Sequence, residues 1–515
     1  MKPTSNITRL MIAFGTTMLA FAVTPPCLGQ TKPDGRQLDK QWAQFRGLNG
    51  SGASKQAPPA QFGPDRNVLW KISTPVGHSS PIVWGNHIFL TGYEPESKTL
   101  LALAYHARTG KLLWKRNIPA VGIEKTHKVS NPATSTPVTD GERVYYYFAS
   151  AGIFVFKFDG TPVWNFPFPT IETANGSGTS PMIAGDLLVL NRDELAKATL
   201  IALDRRTGKE VWRFVNNVNP RGPGGQSYAT PVVWKGNIVL HRRDEVVAHS
   251  LADGTRVWWV TVPSSGAATP VATDDALYVA TWTLVGEPDQ IFQGPTYAEL
   301  LAKNDKNNDG ILSLEEFPAD LPAIGRPGLD PVSSGPLLYK RNTARLDPNK
   351  DGIVSSEEWA EAQQQTAKAL KEHGMIAISP GAQGNATLTN ILWKEVRGVP
   401  EVPSPVLLGD TVYMVRNGGT LTAMKRDSGN VVFRSRINAD GPYYSSLVAA
   451  GGMLLACSGE GKVTVIRPGS ALDIAYQADF DEQIFATPAF AGGLMYLRTD
   501  HHLYAFGANT QGSRK

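Results

Sequence analysis

Two acidic segments carry the side chains best suited to bind a metal ion. They read DKNNDGILSLEE at 305–316 and DPNKDGIVSSEE at 347–358, with oxygen-bearing side chains at alternating positions. Calcium takes about six to eight oxygen ligands, supplied by carboxylates, amides and backbone carbonyls. The spacing therefore predicts two calcium sites within one short stretch of the chain.

Each loop supplies its predicted ligands through the same pattern of residue types. In the first loop the ligands are Asp305, Asn307, Asp309, the backbone carbonyl of Ile311, Ser313 and Glu316. In the second loop they are Asp347, Asn349, Asp351, the backbone carbonyl of Ile353, Ser355 and Glu358. Gly310 and Gly352 permit the sharp turn at positive φ that such a loop requires. Both segments match the EF-hand loop, and the alternative is a pair of solvated acidic turns.

The elements around these loops are predicted to be unequal. A short helix at 296–303 enters the first loop, and Pro318 ends the helix after it within about one turn, because proline has no N–H to donate. The second exit helix is predicted to be longer, at 357–373. Leu312 and Val354 occupy position eight of their loops, where a short β-pairing would join the two. This asymmetry favours a fixed or buffering module, and a regulatory calcium sensor is the alternative.

A repeat runs through most of the remaining chain. A small hydroxyl residue, usually followed by proline and an apolar run, opens each unit. The units begin at Ser80, Thr136, Ser180, Thr230, Thr269, Ser404, Ser446 and Thr487, and the copy at Ser446 has leucine in place of proline. A second pair of strands closes each unit and is clearest at 200–212, where a glycine turn precedes a tryptophan. Four short strands in about 40–55 residues are typical of a β-propeller blade.

The count of units predicts an all-β fold, an eight-bladed β-propeller, with seven blades as the alternative. The interval between Thr269 and Ser404 is far longer than the others, so the calcium loops are predicted to form a small α-helical EF-hand insertion in the fifth blade. The last unit lacks its own final strand, and the segment 67–72 is placed to supply it. Such a closure joins distant parts of the chain and removes an open sheet edge.

These repeats resemble the PQQ-like (pyrroloquinoline quinone-like) repeats of quinoprotein dehydrogenases and of BamB-type outer-membrane assembly proteins. The resemblance covers roughly residues 62–290 and 374–508, and its clearest elements lie at 107–114 and 202–212. It implies the propeller fold and two classes of function, a PQQ-dependent oxidoreductase and an envelope scaffold. The chain departs from quinoprotein alcohol dehydrogenases, because it has neither an adjacent cysteine pair nor a C-x-x-C-H haem motif.

The first residues have the layout of a secretory signal. Basic residues precede an apolar stretch at 10–23, and Gly29 is a suitable last residue before cleavage. The apolar stretch is too short to span a bilayer comfortably, which disfavours a membrane anchor, and Cys27 leaves a lipoprotein open as an option. We therefore expect an exported protein, periplasmic or extracellular, with no transmembrane segment in the mature chain and with Cys457 as its only thiol.

The expected domain organisation follows from these boundaries. It comprises a signal peptide at 1–29, an extended N-terminal arm at 30–61, propeller segments at 62–290 and 374–511, and the EF-hand insertion at 291–373. The net charge of +4 comes without any long basic run, so no nucleic-acid partner is expected.

These features favour an exported calcium-binding propeller that acts as a binding or scaffolding protein in the cell envelope. Calcium and an envelope protein or polymer are the expected partners, and no catalytic residue is assigned. The alternative is a PQQ-dependent oxidoreductase. A central funnel with acidic and aromatic walls and room for a tricyclic quinone would favour the enzyme, whereas a funnel filled by side chains or loops would favour the scaffold.

Overall fold

The computed structural model describes residues 41–127, 129–217, 225–325 and 337–507. The predicted signal peptide at 1–29 and the part of the arm at 30–40 therefore lie outside the described residues. Within the described ranges, no helix is long and apolar enough to cross a membrane.

Eight antiparallel sheets, each built on four strands, follow one another around a central axis. Blade 1 comprises Ile82–Trp84, His87–Glu94, Thr99–His106 and Leu112–Ile118. Blade 2 comprises Val138–Thr139, Arg143–Phe148, Gly152–Lys157 and Pro162–Pro167. Blade 3 comprises Met182–Ala184, Leu187–Asn191, Lys197–Asp204 and Glu210–Asn217. Blade 4 comprises Val232–Trp234, Asn237–Arg242, Glu245–Ser250 and Arg256–Thr261.

The remaining blades have the same four-stranded plan. Blade 5 comprises Val271–Ala272, Leu277–Thr281, Gly374–Ile378 and Ile391–Glu395. Blade 6 comprises Val406–Leu408, Thr411–Arg416, Thr420–Lys425 and Val431–Arg436. Blade 7 comprises Val448–Ala450, Met453–Cys457, Lys462–Arg467 and Asp473–Asp479, and blade 8 comprises Ala489–Ala491, Leu494–Arg498, His502–Gly507 and Val68–Ser73. The predicted all-β, eight-bladed propeller is confirmed, and the seven-bladed alternative is wrong.

A closed ring of hydrogen bonds joins the innermost strands of the eight blades. In each repeat the hydroxyl residue usually stands before proline, which restricts it to extended backbone and makes its N–H the last donor before the strand. That N–H donates to the side-chain hydroxyl of the matching residue in the next blade. The order is Ser80, Thr136, Ser180, Thr230, Thr269, Ser404, Ser446, Thr487 and again Ser80, with N···O distances from 2.9 to 3.3 Å.

A second set of contacts joins the outer strands. Each indole N–H of this set donates to a backbone carbonyl in a turn of the following blade, at 2.8 to 3.2 Å, and the donors are Trp70, Trp114, Trp164, Trp212 and Trp393. The indole also covers a glycine of that turn. At Gly208, whose φ is +74°, an added Cβ would lie 2.7 Å from the ring of Trp164. Glycine in one blade and tryptophan in its neighbour therefore depend on each other.

The fifth blade departs from this pattern. Residues 379–390 form a longer connection between its third and fourth strands, and its glycines at positive φ, Gly381 and Gly384, are not covered by the ring of Trp258 of blade 4. Trp234, on the innermost strand of blade 4, donates instead to the carbonyl of Thr273 at 2.7 Å. The connection also adds Gly384–Asn385 as a parallel strand at the outer edge of blade 4.

The eighth blade closes the ring with a strand from the N-terminal part of the chain. Val68–Ser73 pairs antiparallel with His502–Gly507. The indole of Trp70 on this strand donates to the carbonyl of Ala107 in blade 1 at 3.0 Å. The added strand therefore completes one blade and attaches it to the next.

The segment 41–54 crosses the central channel. Gln41–Trp42 pairs with the innermost strand of blade 1, and Ala53–Ser54 pairs with that of blade 7. Between them, the side chain of Asn49 exchanges two hydrogen bonds of 2.8 Å with the backbone of blade 4. Arg46 is fully buried and donates to five backbone carbonyls, three of which belong to the approaches of blades 6 and 7. Because this segment contacts innermost strands around the ring, it closes one end of the channel.

The insertion leaves blade 5 between its second and third strands. Its helices are Tyr297–Asn304, Thr343–Leu346 and Ser356–Lys368, and its short strands are Pro322–Ile324 and Leu337–Leu338. Short 3-10 helices occur at Pro288–Gln290 and Tyr339–Arg341 here, and at Leu48–Gly50 in the crossing segment. The insertion has its own apolar core around Trp359, whose indole donates to the carbonyl of Pro295 at 2.9 Å.

The exit helices of the two loops differ from the prediction. Residues 314–316, at the end of the first loop, form a turn, and the single helical turn expected there is not formed. The second exit helix ends at Lys368 and does not continue to 373. It ends early because the N–H of Lys371 donates to the carbonyl of Val285 at 2.9 Å, which joins the two ends of the insertion.

The hydrogen-bonded ring can be tested by removing one acceptor. Thr230→Val should lower the free energy of unfolding by about 1–3 kcal/mol, because the buried N–H of Ser180 loses its acceptor while the side-chain shape is kept. Urea unfolding followed by tryptophan fluorescence measures the change. Thr261→Val, at an exposed position in the outer strand of blade 4, is the matched control and should change it by less than about 0.5 kcal/mol. Equal effects of the two substitutions would contradict a special role for the ring.

Candidate functional site

The first loop folds around its acidic side chains. Asp305 accepts the N–H of Gly310 at 2.9 Å, and Asp309 accepts the N–H of Ile311 at 2.8 Å. The amide of Asn307 donates to the other carboxylate oxygen of Asp309 at 2.8 Å. These bonds bring three oxygen-bearing side chains together in one tight turn.

The second loop repeats this arrangement. Asp347 accepts the N–H of Gly352 at 3.1 Å, and Asp351 accepts the N–H of Ile353 at 2.9 Å. The amide of Asn349 donates to Asp351 at 3.0 Å. The two loops therefore share one local geometry, as their common residue pattern requires.

A glutamate stands at the end of each loop. Glu316 accepts the hydroxyl of Ser313 at 2.7 Å, and Glu358 accepts that of Ser355 at 3.0 Å. Glu316 also accepts the N–H of Lys306 at 3.1 Å, so its carboxylate reaches back across the loop. The hydrogen bond from Ser313 is the main cause that lowers the pKa of Glu316 below its ordinary value.

The two loops pair with each other through their backbones. The N–H of Val354 donates to the carbonyl of Leu312, and the N–H of Leu314 donates to the carbonyl of Gly352, both at 2.8 Å. The side chains of Leu312 and Val354 are fully buried in the core of the insertion. The pairing holds the two sets of predicted ligands side by side.

Several features bear on whether these residues fit calcium. Oδ1 of Asp305 and Oε1 of Glu358 are buried and have no hydrogen-bond partner among the described residues. A cation would satisfy such oxygens, and the all-oxygen ligand set suits Ca²⁺ rather than softer metals. In the described part of the chain, however, no three His, Cys, Asp or Glu side chains converge as a metal-binding group. Calcium binding at these loops stays a prediction.

A buried glutamate holds the start of the insertion against the propeller. Glu287 accepts the N–H groups of Gly398 and Val399 at 2.9 and 3.2 Å, and Arg416 of blade 6 at 2.6 Å. His373, at the far end of the insertion, lies 3.9 Å from the same carboxylate. Burial would raise the pKa of Glu287, but His373 and Arg416 outweigh it and lower the pKa below its ordinary value. Both ends of the insertion therefore meet at one ionised carboxylate.

A funnel with a volume of about 740 Å³ opens at the centre of the ring. Its wall consists of the segments that lead into the innermost strands, and every blade contributes to it. In an antiparallel blade, the connection between the second and third strands lies at this same end. Trp282, where the insertion leaves blade 5, accordingly lines the funnel. The insertion and the funnel share one face of the propeller.

The funnel wall is rich in hydroxyl groups and aromatic rings. Seven of the eight ring hydroxyls line it, and Thr230 is the exception. The aromatic side chains are Phe45, Tyr228, Trp282, Tyr444 and Phe485. Phe45 belongs to the segment that crosses the channel, so the funnel is closed at its far end.

Formal charge is sparse in this wall. Glu401 is the one acidic side chain among its described residues, which include no lysine or arginine. Burial, together with the nearby positive charge of Arg498, lowers the pKa of His78 to about 3, so this imidazole is neutral at pH 7. The funnel therefore presents mainly uncharged polar groups.

Sequence reasoning identified the paired loops but missed the funnel residues and Glu287. Most wall residues stand at or just before the first residue of a repeat, and this position is the sequence signal that could have identified them. Their residue types differ from blade to blade, as Tyr228 and Phe485 illustrate, so no motif marks them. Glu287 accepts a hydrogen bond from Arg416, which is distant in sequence, so no local pattern indicates that contact.

Comparison with known proteins agrees with the fold. Residues 196–294 match a family model described as outer membrane protein assembly factor BamB. The outer membrane protein assembly factor BamB of Burkholderia pseudomallei (strain K96243) is 34% identical over 110 residues, which make up 21% of this chain. The match spans 27% of that relative's length, so the relative's activity and partners do not transfer to this chain by the match alone.

Solved structures of similar shape include a BamB protein and two dehydrogenases. BamB from Moraxella catarrhalis has a TM-score of 0.50 at 12% identity, over 86% of this chain and 100% of its own. A quinohemoprotein alcohol dehydrogenase from Pseudomonas putida HK5 has a TM-score of 0.53 at 12% identity, over 94% and 83%. A europium-containing methanol dehydrogenase has a TM-score of 0.56 at 11% identity, over 91% and 98%. These likenesses support a β-propeller of PQQ-like repeats, a fold that serves several functions.

The attachment of the insertion can be tested at Glu287. Glu287→Gln should lower the free energy of unfolding by about 1–2 kcal/mol, because the charged partner of Arg416 is lost and the two backbone amides keep only a neutral acceptor. Amide exchange at Gly398 and Val399 should also become faster, which hydrogen-exchange mass spectrometry measures. Glu372→Gln, which removes an exposed partner of Lys394, is the control and should change neither quantity appreciably.

The same anchor predicts the direction of a pH effect. Because the folded-state pKa of Glu287 lies below its ordinary value of 4.5, its stabilising contribution is complete above that pH. The contribution should be lost as the pH falls through the folded-state pKa. Glu287→Gln should therefore show a smaller loss of stability than the unchanged protein over this acidic range, and parallel curves would contradict the assignment.

Proposed function

We propose that this chain is an exported binding or scaffolding protein of the cell envelope. The observation that carries the proposal is the open funnel of about 740 Å³, to which all eight blades contribute and beside which the insertion stands. A concave site with convergent polar groups and aromatic walls suits recognition of a ligand or partner. The partner class that we propose is an envelope protein or polymer.

The relatives and the N-terminal sequence support this location. The family model and the curated relative are both described as an outer membrane protein assembly factor. The secretory layout predicted at 1–29 supports export, in the periplasm or outside the cell. A nucleic-acid partner is not proposed, because the chain lacks a long basic run.

We propose that the paired loops hold two Ca²⁺ ions through the ligands predicted from the sequence. The unpartnered oxygens of Asp305 and Glu358 support this assignment. Binding requires Glu316 and Glu358 to turn their carboxylates from the serine hydroxyls toward the ions. The role that we propose for calcium is structural, since the insertion has its own core around Trp359 and is anchored through Glu287.

A PQQ-dependent oxidoreductase is the less favoured candidate. The funnel has aromatic walls and room for a tricyclic quinone, which are features expected of the enzyme. PQQ carries three carboxylates, however, and the described wall residues include one acid and no lysine or arginine to neutralise them. The described residues of the wall do not fit the cofactor, and no catalytic step is assigned to them.

Removal of the closing carboxylates tests the calcium proposal. The double substitution Glu316→Gln and Glu358→Gln should weaken calcium binding at least about tenfold, because each site loses a charged ligand that can bind through two oxygens. Calorimetric titration of the metal-free protein measures affinity and stoichiometry. The matched control is Glu315→Gln with Glu357→Gln, at exposed neighbouring positions outside the ligand sets, and it should bind calcium like the unchanged protein. Absence of calcium binding in the unchanged protein would overturn the proposal.

Titration with PQQ separates the two candidate functions. The calcium-loaded protein should give no binding heat up to about 100 μM PQQ and no dye-linked oxidation of alcohols or sugars. The physical reason is the lack of described cationic side chains in the funnel wall. Binding at about 1 μM or tighter, with turnover, would replace the scaffold with an enzyme.

A further inference from the structure

The hydroxyls of the inner ring have an unused donor. Each of the eight oxygens accepts one backbone N–H from the neighbouring blade. A serine or threonine hydroxyl also carries a hydrogen that it can donate. Among the described residues, no protein acceptor receives a hydrogen bond from any of the eight. Seven of these residues line the funnel, and each of the seven is buried, so their donors lie at the bottom of its wall and not at its mouth.

The charged residues of the funnel wall limit the class of ligand to which these hydroxyls can donate. Among the described wall residues, an anion would find no lysine or arginine with which to pair. A peptide backbone offers one carbonyl acceptor for each N–H donor, apart from proline, whereas a saccharide adds ring and glycosidic oxygens that only accept. A neutral ligand with many oxygen acceptors would satisfy the array without burying an unpaired charge.

Aromatic rings stand above these hydroxyls. The ring of Phe485 lies 4.4 Å from that of His78 and 4.9 Å from that of Tyr444, measured between centroids, and Phe485 is partly exposed. Trp282 and Tyr228 line other sides of the same funnel. Such rings pack on flat apolar surfaces, while the hydroxyls require polar partners. A sugar ring offers both, since it has C–H groups on its faces and oxygens around its edge.

We propose that the funnel binds the end of a neutral saccharide chain. The seven ring hydroxyls that line the funnel donate to sugar oxygens, and Phe485 with its neighbours packs on the sugar faces. The crossing segment 41–54 closes the far end, so a chain end enters the funnel but does not pass through it. The volume of about 740 Å³ lies in the range of small-ligand sites. This inference rests on the proposed function and names the class of polymer that the funnel receives.

Calorimetric titration of the calcium-loaded full chain tests the ligand class. The neutral probes are maltohexaose, cellohexaose and chitohexaose, and the comparison probes are hexagalacturonate and a capped alanine–serine hexapeptide. At least one neutral hexasaccharide should bind with a Kd below about 1 mM, and both comparison probes should bind at least about tenfold more weakly. If no neutral hexasaccharide binds, or if the anionic saccharide or the peptide binds more tightly, the proposal is overturned.

A matched pair of ring substitutions tests the hydroxyl donors. Thr487→Val and Thr230→Val each remove one ring acceptor, at 3.1 and 3.3 Å, but only Thr487 lines the funnel. Thr487→Val should weaken saccharide binding roughly threefold to tenfold, and Thr230→Val should leave it unchanged. Thr487→Ser keeps a hydroxyl and should retain the affinity of the unchanged protein. Equal affinities of the two valine variants would overturn the assignment of the donors.

The aromatic contact has its own control. Phe485→Ala should weaken saccharide binding about tenfold or more. Phe292→Ala removes an exposed phenylalanine of the insertion that does not line the funnel, and it should bind like the unchanged protein. Unfolding midpoints of both variants show whether the fold is intact, and a folded Phe485→Ala protein with unchanged affinity would contradict the aromatic contact.

Different experimental outcomes would contradict the saccharide proposal and the proposed function. A protein that binds calcium, does not bind PQQ and binds none of the saccharides keeps the scaffold role with another partner. A protein that binds PQQ with turnover loses the scaffold role, whatever its affinity for saccharides.

Discussion

The ring of backbone-to-hydroxyl hydrogen bonds is the interaction on which the rest of the structure depends. Each donor lies near the axis, where few other acceptors are available, so each blade satisfies the backbone of its neighbour. This requirement explains why a small hydroxyl residue opens all eight repeats, including the copy at Ser446 that lacks proline. The same hydroxyls form the base of the funnel. The contacts that close the propeller therefore also determine the chemistry at its centre.

Contiguous sequence patterns predicted most of the fold, but they did not predict the contacts between segments that are distant in sequence. The repeat starts and the glycine–tryptophan pairs are contiguous motifs, and they predicted eight blades and the closing strand at Trp70. The predicted end of the second exit helix was wrong, because a hydrogen bond between Lys371 and Val285 makes the helix end earlier. The funnel wall has no motif, since Tyr228 and Phe485 precede different blades and line the same funnel only when the ring closes. The loop ligands are adjacent in sequence, and this is why they could be named residue by residue.

The insertion is part of the propeller face and is not a separate appendage. It leaves and re-enters a single blade between two paired strands, Leu277–Thr281 and Gly374–Ile378. Glu287 then connects it to blade 6 through Arg416, so two neighbouring blades determine its position beside the funnel. An ion bound in the paired loops would act on an element whose ends are already fixed. This arrangement suits a module that shapes the funnel entrance more than one that swings open.

The closing strand has a consequence for the order in which the chain folds. The hydrogen bond between Thr487 and Ser80 joins residues 407 positions apart. The entropic cost of such a closure grows slowly with chain length, by about 0.6 kcal/mol for each doubling. Contacts of high sequence separation nevertheless form late. The first seven blades can assemble in sequence order, while blade 8 must wait for His502–Gly507. Until that strand is available, the open ring exposes unpaired sheet edges to other chains. The protein should therefore be most prone to aggregation before blade 8 forms.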